Sequence, residues 1–237
     1  MRKTSFLPVF LAVVLLLPYV EAGGDPDRFA LLRERMVTDQ IISRGVLSPR
    51  VLKAMREVPR HLFVPKALRA LAYRDHPLPI GYGQTISQPY IVAFMSEALN
   101  LRPGERVLEV GTGSGYQAAV LSELGGEVYT IEIIEKLAKR AQKILDRLDY
   151  DKIRVKIGDG YKGWPEKAPF DAVIVTCAPE TIPDPLVRQL KEGGRMIIPV
   201  GGQGTAQRLV GATKKKGRLE IREVMRVRFV PMVKGRP

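Results

Sequence analysis

From Glu105 to the C-terminus the sequence alternates short apolar runs with amphipathic ones, and this narrows the possible folds more than any other feature. "RVLEV" is a buried-strand run, followed by glycines and the helix "YQAAVLSEL". "EVYTIEI" is a second strand and "EKLAKRAQKILDRL" a second helix. "IRVKIGDG", "FDAVIVTCA" and "GRMIIPVG" give three further strands, with the helix "PDPLVRQL" between the last two. Strands alternating with helices imply right-handed crossovers and a mainly parallel sheet. The final stretch, "QRLVGATKKKGRLEIREVMRVRFVPMV", has two strand-like runs around a Lys and Gly turn, read as an antiparallel hairpin finishing the sheet. The expected class is α/β: a doubly wound, mainly parallel, Rossmann-like sheet.

Residues before Glu105 have a different texture. "DRFALLRERMVTDQIISRG" places Phe29, Leu32, Met36 and Ile42 near helical spacing, with Gly45 as the stop. "SPRVLKAMREVP" opens a helix with Ser48 as N-cap and Pro49 at the first helical position. A short helical piece near 67–72 precedes a loop broken by Pro and Gly, and a helix restarts near Pro89. Nothing in 28–100 reads as a strand, so residues 26–104 are expected to form a helical cap carrying a substrate loop, and 105–237 the sheet. Residues 1–25 are set apart. Arg2 and Lys3 precede an apolar run from Phe6 to Val20, and Val20 and Ala22 fit a small-residue cleavage pattern, so this reads as a secretory leader cut after Ala22.

The first strand ends in "LEVGTGSGY". A Gly-rich turn between strand and helix lets backbone approach a ligand and aims helix N–H groups at it. Gly111, Gly113 and Gly115 give G-x-G-x-G, and Tyr116 stands where the dinucleotide fingerprint needs its third glycine. No phosphate-loop motif occurs either, so a ligand without a pyrophosphate fits better. Glu132, ending the second strand, is suited to accept both hydroxyls of a ribose. Asp159, in "GDG" after the third strand, is suited to accept from an exocyclic amine, although an Asp between glycines is also an ordinary turn residue. An adenosine with a small zwitterionic tail meets all three points, and S-adenosylmethionine (SAM) is that molecule.

Composition removes several alternatives. A mean hydropathy of −0.05 argues against a multi-span membrane protein. The single cysteine, Cys177, forms no internal disulfide, and with His61 and His76 so far apart no zinc site is expected. The net charge is +13, of which residues 214–237 carry +7. That excess suits an acidic partner or nucleic acid, but equally a hairpin tip and a solvated strand face, which is the reading preferred here.

Beyond these points the sequence resembles the protein-L-isoaspartate O-methyltransferases, from about Arg33 to Pro231. The resemblance is carried by "MVTDQIISRGV", "VPRHLFVP", "GQTISQPYIVAFM", "VLEVGTGSGYQAAVL", "GDGYKGWPEKAPFDAVIVTCAP", "LKEGGRMIIPVG" and "RFVPM", of which "GQTISQP" is the most specific. It implies methylation of the free α-carboxylate of L-isoaspartyl residues in damaged proteins, initiating repair through a succinimide, with Ser87 as the active-site serine. The candidate cofactor-binding residues are Gln84, Glu109, Gly111, Gly113, Ser114, Gly115, Glu132, Asp159 and Gly160; the candidate substrate-binding residues are Thr85, Ile86 and Ser87. Val233, where relatives often carry a hydroxyl, is given no ligand role.

The chemistry agrees with Ser87 as an orienting hydroxyl. A carboxylate with an ordinary pKa of ~3.5 to 4 is already ionised at neutral pH and needs no general base. A catalytic triad is not expected, since neither histidine is placed as a partner. Ser87 also reads as an N-cap for the helix near Pro89. A nucleic-acid methyltransferase is the rival enzyme, but "TCAPE" stands where amino-methylating enzymes place an acidic or Asn residue, two prolines and an aromatic. Cys177 as a nucleophile for carbon methylation is weighed against a small core residue, and an exported binding protein that kept the fold is the non-enzymatic rival. The expected partners are isoaspartyl proteins and peptides, with no nucleic acid, no metal, no stable membrane span after leader removal, and a monomeric state. SAM supply and the resemblance favour the cytoplasm; the leader favours export.

Overall fold

The computed structural model describes residues 26–235, apart from 203 and 205; the expected leader lies outside the described residues. The chain opens with helix α1 (Pro26–Arg35), whose path continues as a π-helical turn over Met36–Ile41 and a 3₁₀ turn over Ile42–Arg44, ending at Gly45 in the left-handed conformation. The wider π turn changes which residues face inward: Met36, Val37 and Ile41 are fully buried, whereas Ile42 is half-buried. Helix α2 (Pro49–Glu57) starts as its sequence dictates, with the Ser48 hydroxyl accepting from Val51 N–H at 3.5 Å.

The expectation of a strand-free cap is corrected. Strands β1 (Leu78–Gly81) and β2 (Gln84–Ile86) pair antiparallel across a tight turn in which Gly81, Tyr82 and Gly83 all have positive φ. Both strands are very short, and Pro79 sits inside the first, so no alternating pattern was long enough to announce them. Helix α3 (Pro89–Leu99) follows immediately. Its N-cap is Gln88, with no side-chain capping bond, so Ser87 is not the cap that the sequence also allowed.

The remaining elements are β3 (Arg106–Val110), α4 (Tyr116–Glu123), β4 (Glu127–Glu132), α5 (Glu135–Arg147), β5 (Ile153–Ile157), β6 (Phe170–Val175), α6 (Asp184–Gln189), β7 (Leu190–Val200), β8 (Gln207–Lys215) and β9 (Arg218–Val227). They form one seven-stranded sheet in the order β5-β4-β3-β6-β7-β8-β9. The first five strands pair in parallel; β8 and β9 add antiparallel, closing the sheet with the expected hairpin around Lys216 and Gly217.

Side chains alternate between the two faces. Val107, Val128, Ala172, Ile174 and Ile197 share a core with the cap, including Met36, Ile41, Met55 and Phe63. Leu108, Val110, Tyr129, Ile131, Phe170, Val173 and Val175 pack on the opposite face. Burial on both faces explains why these strands read as continuous apolar runs. Strand order reverses at β3, which has β4 on one side and β6 on the other, so a crevice opens beyond their carboxyl ends.

Candidate functional site

The crevice is built around the turn after β3. Gly111 has φ of 101°, and a Cβ there would lie 2.5 Å from Thr176 Oγ1, so only glycine fits. The Thr176 hydroxyl in turn donates to Gly111 O at 2.7 Å, locking the turn to the end of β6. Gly115, also at positive φ, is the N-cap of α4 and positions that helix. Tyr116 is buried as the first residue of α4 and packs edge-on against Phe63 of the cap, which accounts for an aromatic where the dinucleotide fingerprint has glycine.

Glu132 is 6% exposed at the end of β4. Its carboxylate accepts from Gly113 N–H at 2.8 Å and Ile134 N–H at 2.9 Å. Two such bonds leave acceptor capacity on both oxygens. Glu109 is fully buried on β3. Its Oε2 accepts from Thr130 Oγ1 at 2.6 Å; that hydroxyl therefore accepts from Thr112 Oγ1 at 2.7 Å. Its Oε1 has no partner among the described residues. Burial pushes the Glu109 carboxyl up to about 8, opposed by the Thr130 bond and reinforced by Glu132.

Two adjoining cavities, of about 480 and 400 Å³, meet here and share Gln84, Gly111, Glu132 and Cys177. The first is also lined by Glu109, Thr112, Gly113 and Ser114, the second by Ile131, Ile134, Gly160 and Met232. The polar first chamber and apolar second chamber suit the two ends of SAM. An unpartnered buried carboxyl oxygen fits an ammonium, Glu132 fits the ribose hydroxyls between the chambers, and the apolar walls fit an adenine ring.

A third, larger groove of about 1520 Å³ lies on the other side of the substrate loop, lined by Arg44, Gln88, Tyr90, Arg226, Arg228 and Phe229 among others. Thr85, Ser87, Thr176 and Val230 line both this groove and the first cavity. Three hydroxyls therefore stand in the wall between a cofactor-sized chamber and an open channel. Thr85 and Ser87 come from β2 and the residues after it, and Thr176 from the end of β6.

Other sequence-named residues fall where the fold requires. Ile86 is buried and lines the first cavity. Asp159 does not line either cofactor chamber; its carboxylate accepts from Tyr161 N–H at 2.9 Å and Gly235 N–H at 3.3 Å, so it ties a turn to the C-terminal segment. Gly160 does line the second chamber, and a Cβ there would lie 2.4 Å from Val110 Cγ1. Val233, left unassigned from sequence, borders the same chamber.

Cys177 lies just past β6, at both cofactor chambers rather than within the strand, and burial beside Glu132 and Glu109 pushes its thiol up to about 12. It is no nucleophile at neutral pH. His61 bonds Tyr73 OH at 2.8 Å and stacks on Phe29, and burial together with Arg33 and Arg69 lowers it to about 4; neither it nor His76 bonds Ser87. Thr176 and the groove arginines were missed. Thr176 had a signal, since it ends a strand at the switch point; the arginines had none beyond the basic C-terminal run.

The family model for protein-L-isoaspartate(D-aspartate) O-methyltransferase matches residues 32–237. A protein-L-isoaspartate O-methyltransferase of Gloeobacter violaceus is 56% identical over 202 residues, covering 85% of this chain and 98% of its own length. One from Syntrophobacter fumaroxidans is 52% identical, covering 94% and 96%. A solved protein-L-isoaspartate O-methyltransferase is 33% identical and superposes with a TM-score of 0.77 over 84% of this chain and 65% of that one. A putative enzyme of this type from Plasmodium falciparum, solved with S-adenosyl-L-homocysteine, is 25% identical, with a TM-score of 0.73 over 86% and 99%.

Proposed function

The chain belongs to the protein-L-isoaspartate(D-aspartate) O-methyltransferase family, and on that premise we propose how its cavities divide the work of methylating an isoaspartyl carboxylate. The protein is a SAM-dependent methyltransferase acting on L-isoaspartyl residues. The paired chambers hold the cofactor, the groove holds the peptide, and the hydroxyl wall is where the two meet. The observation that carries this reading is that Thr85, Ser87 and Thr176 border both sides.

When bound, SAM supplies an electrophilic methyl group on a sulfonium. Glu132 would hold the ribose, Glu109 the ammonium, and the backbone from Gly111 to Gly113 the intervening atoms. The substrate carboxylate is ionised without help, so this chain's task is to bind, orient and dehydrate it. Ser87 donates a hydrogen bond to one carboxylate oxygen and leaves the other free to attack. Its location two residues before the start of α3 brings the positive end of that helix near the same spot. Hydroxyls are suited to this because they hold an anion without the bidentate grip of a guanidinium. The ester formed is open to displacement by the adjacent backbone nitrogen, which gives a succinimide and, on hydrolysis, partial return to aspartate.

The test is methylation from labelled SAM of two peptides that differ only in an isoaspartyl or aspartyl linkage. Labelling of the isoaspartyl peptide alone is expected; equal labelling of both would defeat the assignment. The basic hairpin does not argue for nucleic acid. Lys215 pairs with Glu220 at 2.6 Å, Arg208 with Glu223 at 3.5 Å, and Lys214 donates to Val187 and Leu190 carbonyls near the end of α6.

Among the described residues no helix is long and apolar enough to cross a membrane. We place the protein in the cytoplasm, where SAM is made, as a monomer. Recovery in the exported fraction with residues 1–22 removed would reverse the first assignment, and a dimer mass in solution the second.

A further inference from the structure

Arg60, from the stretch "VPRHLFVP", has no place in the mechanism above, yet it is the largest of the fully buried side chains. It lies in a 3₁₀ turn over Arg60–Phe63. Its Nε donates to Ala72 O at 2.7 Å and Nη2 donates to Ser87 O at 2.7 Å. Nη1 has no partner among the described residues. The guanidinium carbon lies 4.9 Å from the ring centroid of Tyr116, which, like Ser87, lines the first cavity.

Among the described residues no carboxylate accepts a hydrogen bond from it or forms an ion pair with it. Burial lowers Arg60 to about 10, which leaves it cationic at neutral pH. A buried cation without an anion is costly, and two carbonyls need only a neutral amide to tie them together. The cation stands directly behind the residue that meets the substrate's negative charge.

We propose that Arg60 is the counter-charge for the isoaspartyl carboxylate, acting through the peptide that joins Ser87 to Gln88. The inference rests on Ser87 as the carboxylate site. Arg60 is a positioning residue: it touches neither substrate nor cofactor. Donation to the Ser87 carbonyl polarises that peptide. The positive charge favours an anion beyond it, while leaving the carboxylate oxygens free of a direct ion pair that would blunt their attack. The groove arginines, Arg44, Arg226 and Arg228, are solvent-facing and screened by salt; Arg60 is not.

Three proteins, wild type, Arg60→Met and Arg60→Lys, are titrated with two labelled peptides in the presence of S-adenosylhomocysteine, which prevents turnover. The peptides are identical except that one carries the isoaspartyl α-carboxylate and the other its neutral α-amide. Wild type should prefer the acid by roughly tenfold, as expected for one charge seen through an intermediate dielectric. Arg60→Met should bring the acid-to-amide ratio near one. Because it is a ratio, it does not depend on the fraction of folded protein.

Arg60→Lys should keep the preference at roughly pH 6 and lose it by roughly pH 9, since a buried lysine titrates far more readily than arginine. This arm also serves if the Met variant does not fold. A wild type that binds both peptides equally, or variants that weaken both while the ratio holds at every pH, would show Arg60 to be a strut and overturn the proposal. Failure of the underlying reading looks different: Ser87→Ala would then methylate the isoaspartyl peptide at the wild-type rate.

Discussion

The proposed cofactor chambers and the proposed peptide groove are built in different ways. The chambers come from neighbouring parallel strands, and their polar parts are backbone turns fixed by local bonds: Gly113 N–H on Glu132, Thr176 Oγ1 on Gly111 O, Thr112 on Thr130 on Glu109. The groove is assembled at the margins, from Arg44 after the first helices, the β1–β2 hairpin, the residue after β6 and the segment after β9. Only the hydroxyl wall and Val230 belong to both. The chamber residues at the ends of β3 and β4 are held by the sheet itself, so their places follow from strand order. The groove residues come from several separate segments: a turn, the small hairpin, the start of α3, and the end of β9 with the chain beyond it. On the proposed assignment, cofactor recognition rests mainly on the ends of neighbouring parallel strands, and substrate recognition on segments brought together from different parts of the chain.

This division breaks most severely if the turn is filled. Gly111→Ala puts a Cβ into Thr176 Oγ1 at 2.5 Å and at a φ no L-residue adopts readily. Strain and overpacking together should cost about 3 kcal/mol or more, seen as a lowered Tm and lost SAM binding. Both sites should suffer, since Thr176 stands in the shared wall. Glu132→Ala sharpens the comparison from one side. It removes a charged acceptor and should weaken SAM by about 1.5–3 kcal/mol in calorimetry. Peptide affinity measured without cofactor should not change.

The two regions were also unequally legible. The chambers could be read because glycines at the end of β3 and an acid at the end of β4 are signals whose spacing the parallel sheet fixes in advance. Asp159 shows the limit of that logic: a strand-end acid was expected to meet the ligand, but Gly160 rather than Asp159 lines the cavity, while the Asp159 carboxylate accepts from Tyr161 and Gly235 N–H. The groove could not be read from local pattern. β1 and β2 are too short to show a period, and no spacing rule links Ser87 to Thr176 or to Arg228. What pointed to Ser87 was the resemblance of "GQTISQP", with the chemistry of an ionised nucleophile in support.

A third prediction concerns pH and isolates the polar chamber. Glu109 is raised from 4.5 to about 8, so its contribution to stability is complete below about 4.5 and is lost as pH rises through about 8. The cofactor-free protein should lose stability over that interval, and Glu109→Gln should flatten the decline. Thermal melts across pH, with and without SAM, check both. An unchanged slope in the variant would mean that Glu109 does not titrate there.

The most direct test of two separable halves joined at one wall is Ser87→Ala, measured for SAM affinity and for single-turnover methylation of an isoaspartyl peptide. Ser87 lines the wall but holds none of the cofactor's expected contacts. The variant should bind SAM as wild type does, melt within about 1 kcal/mol of it, and lose about 2 kcal/mol in kcat/KM, the low end for one donor aimed at a reacting centre. A variant that methylates at the normal rate, or one that loses SAM affinity in step with activity, would contradict the account.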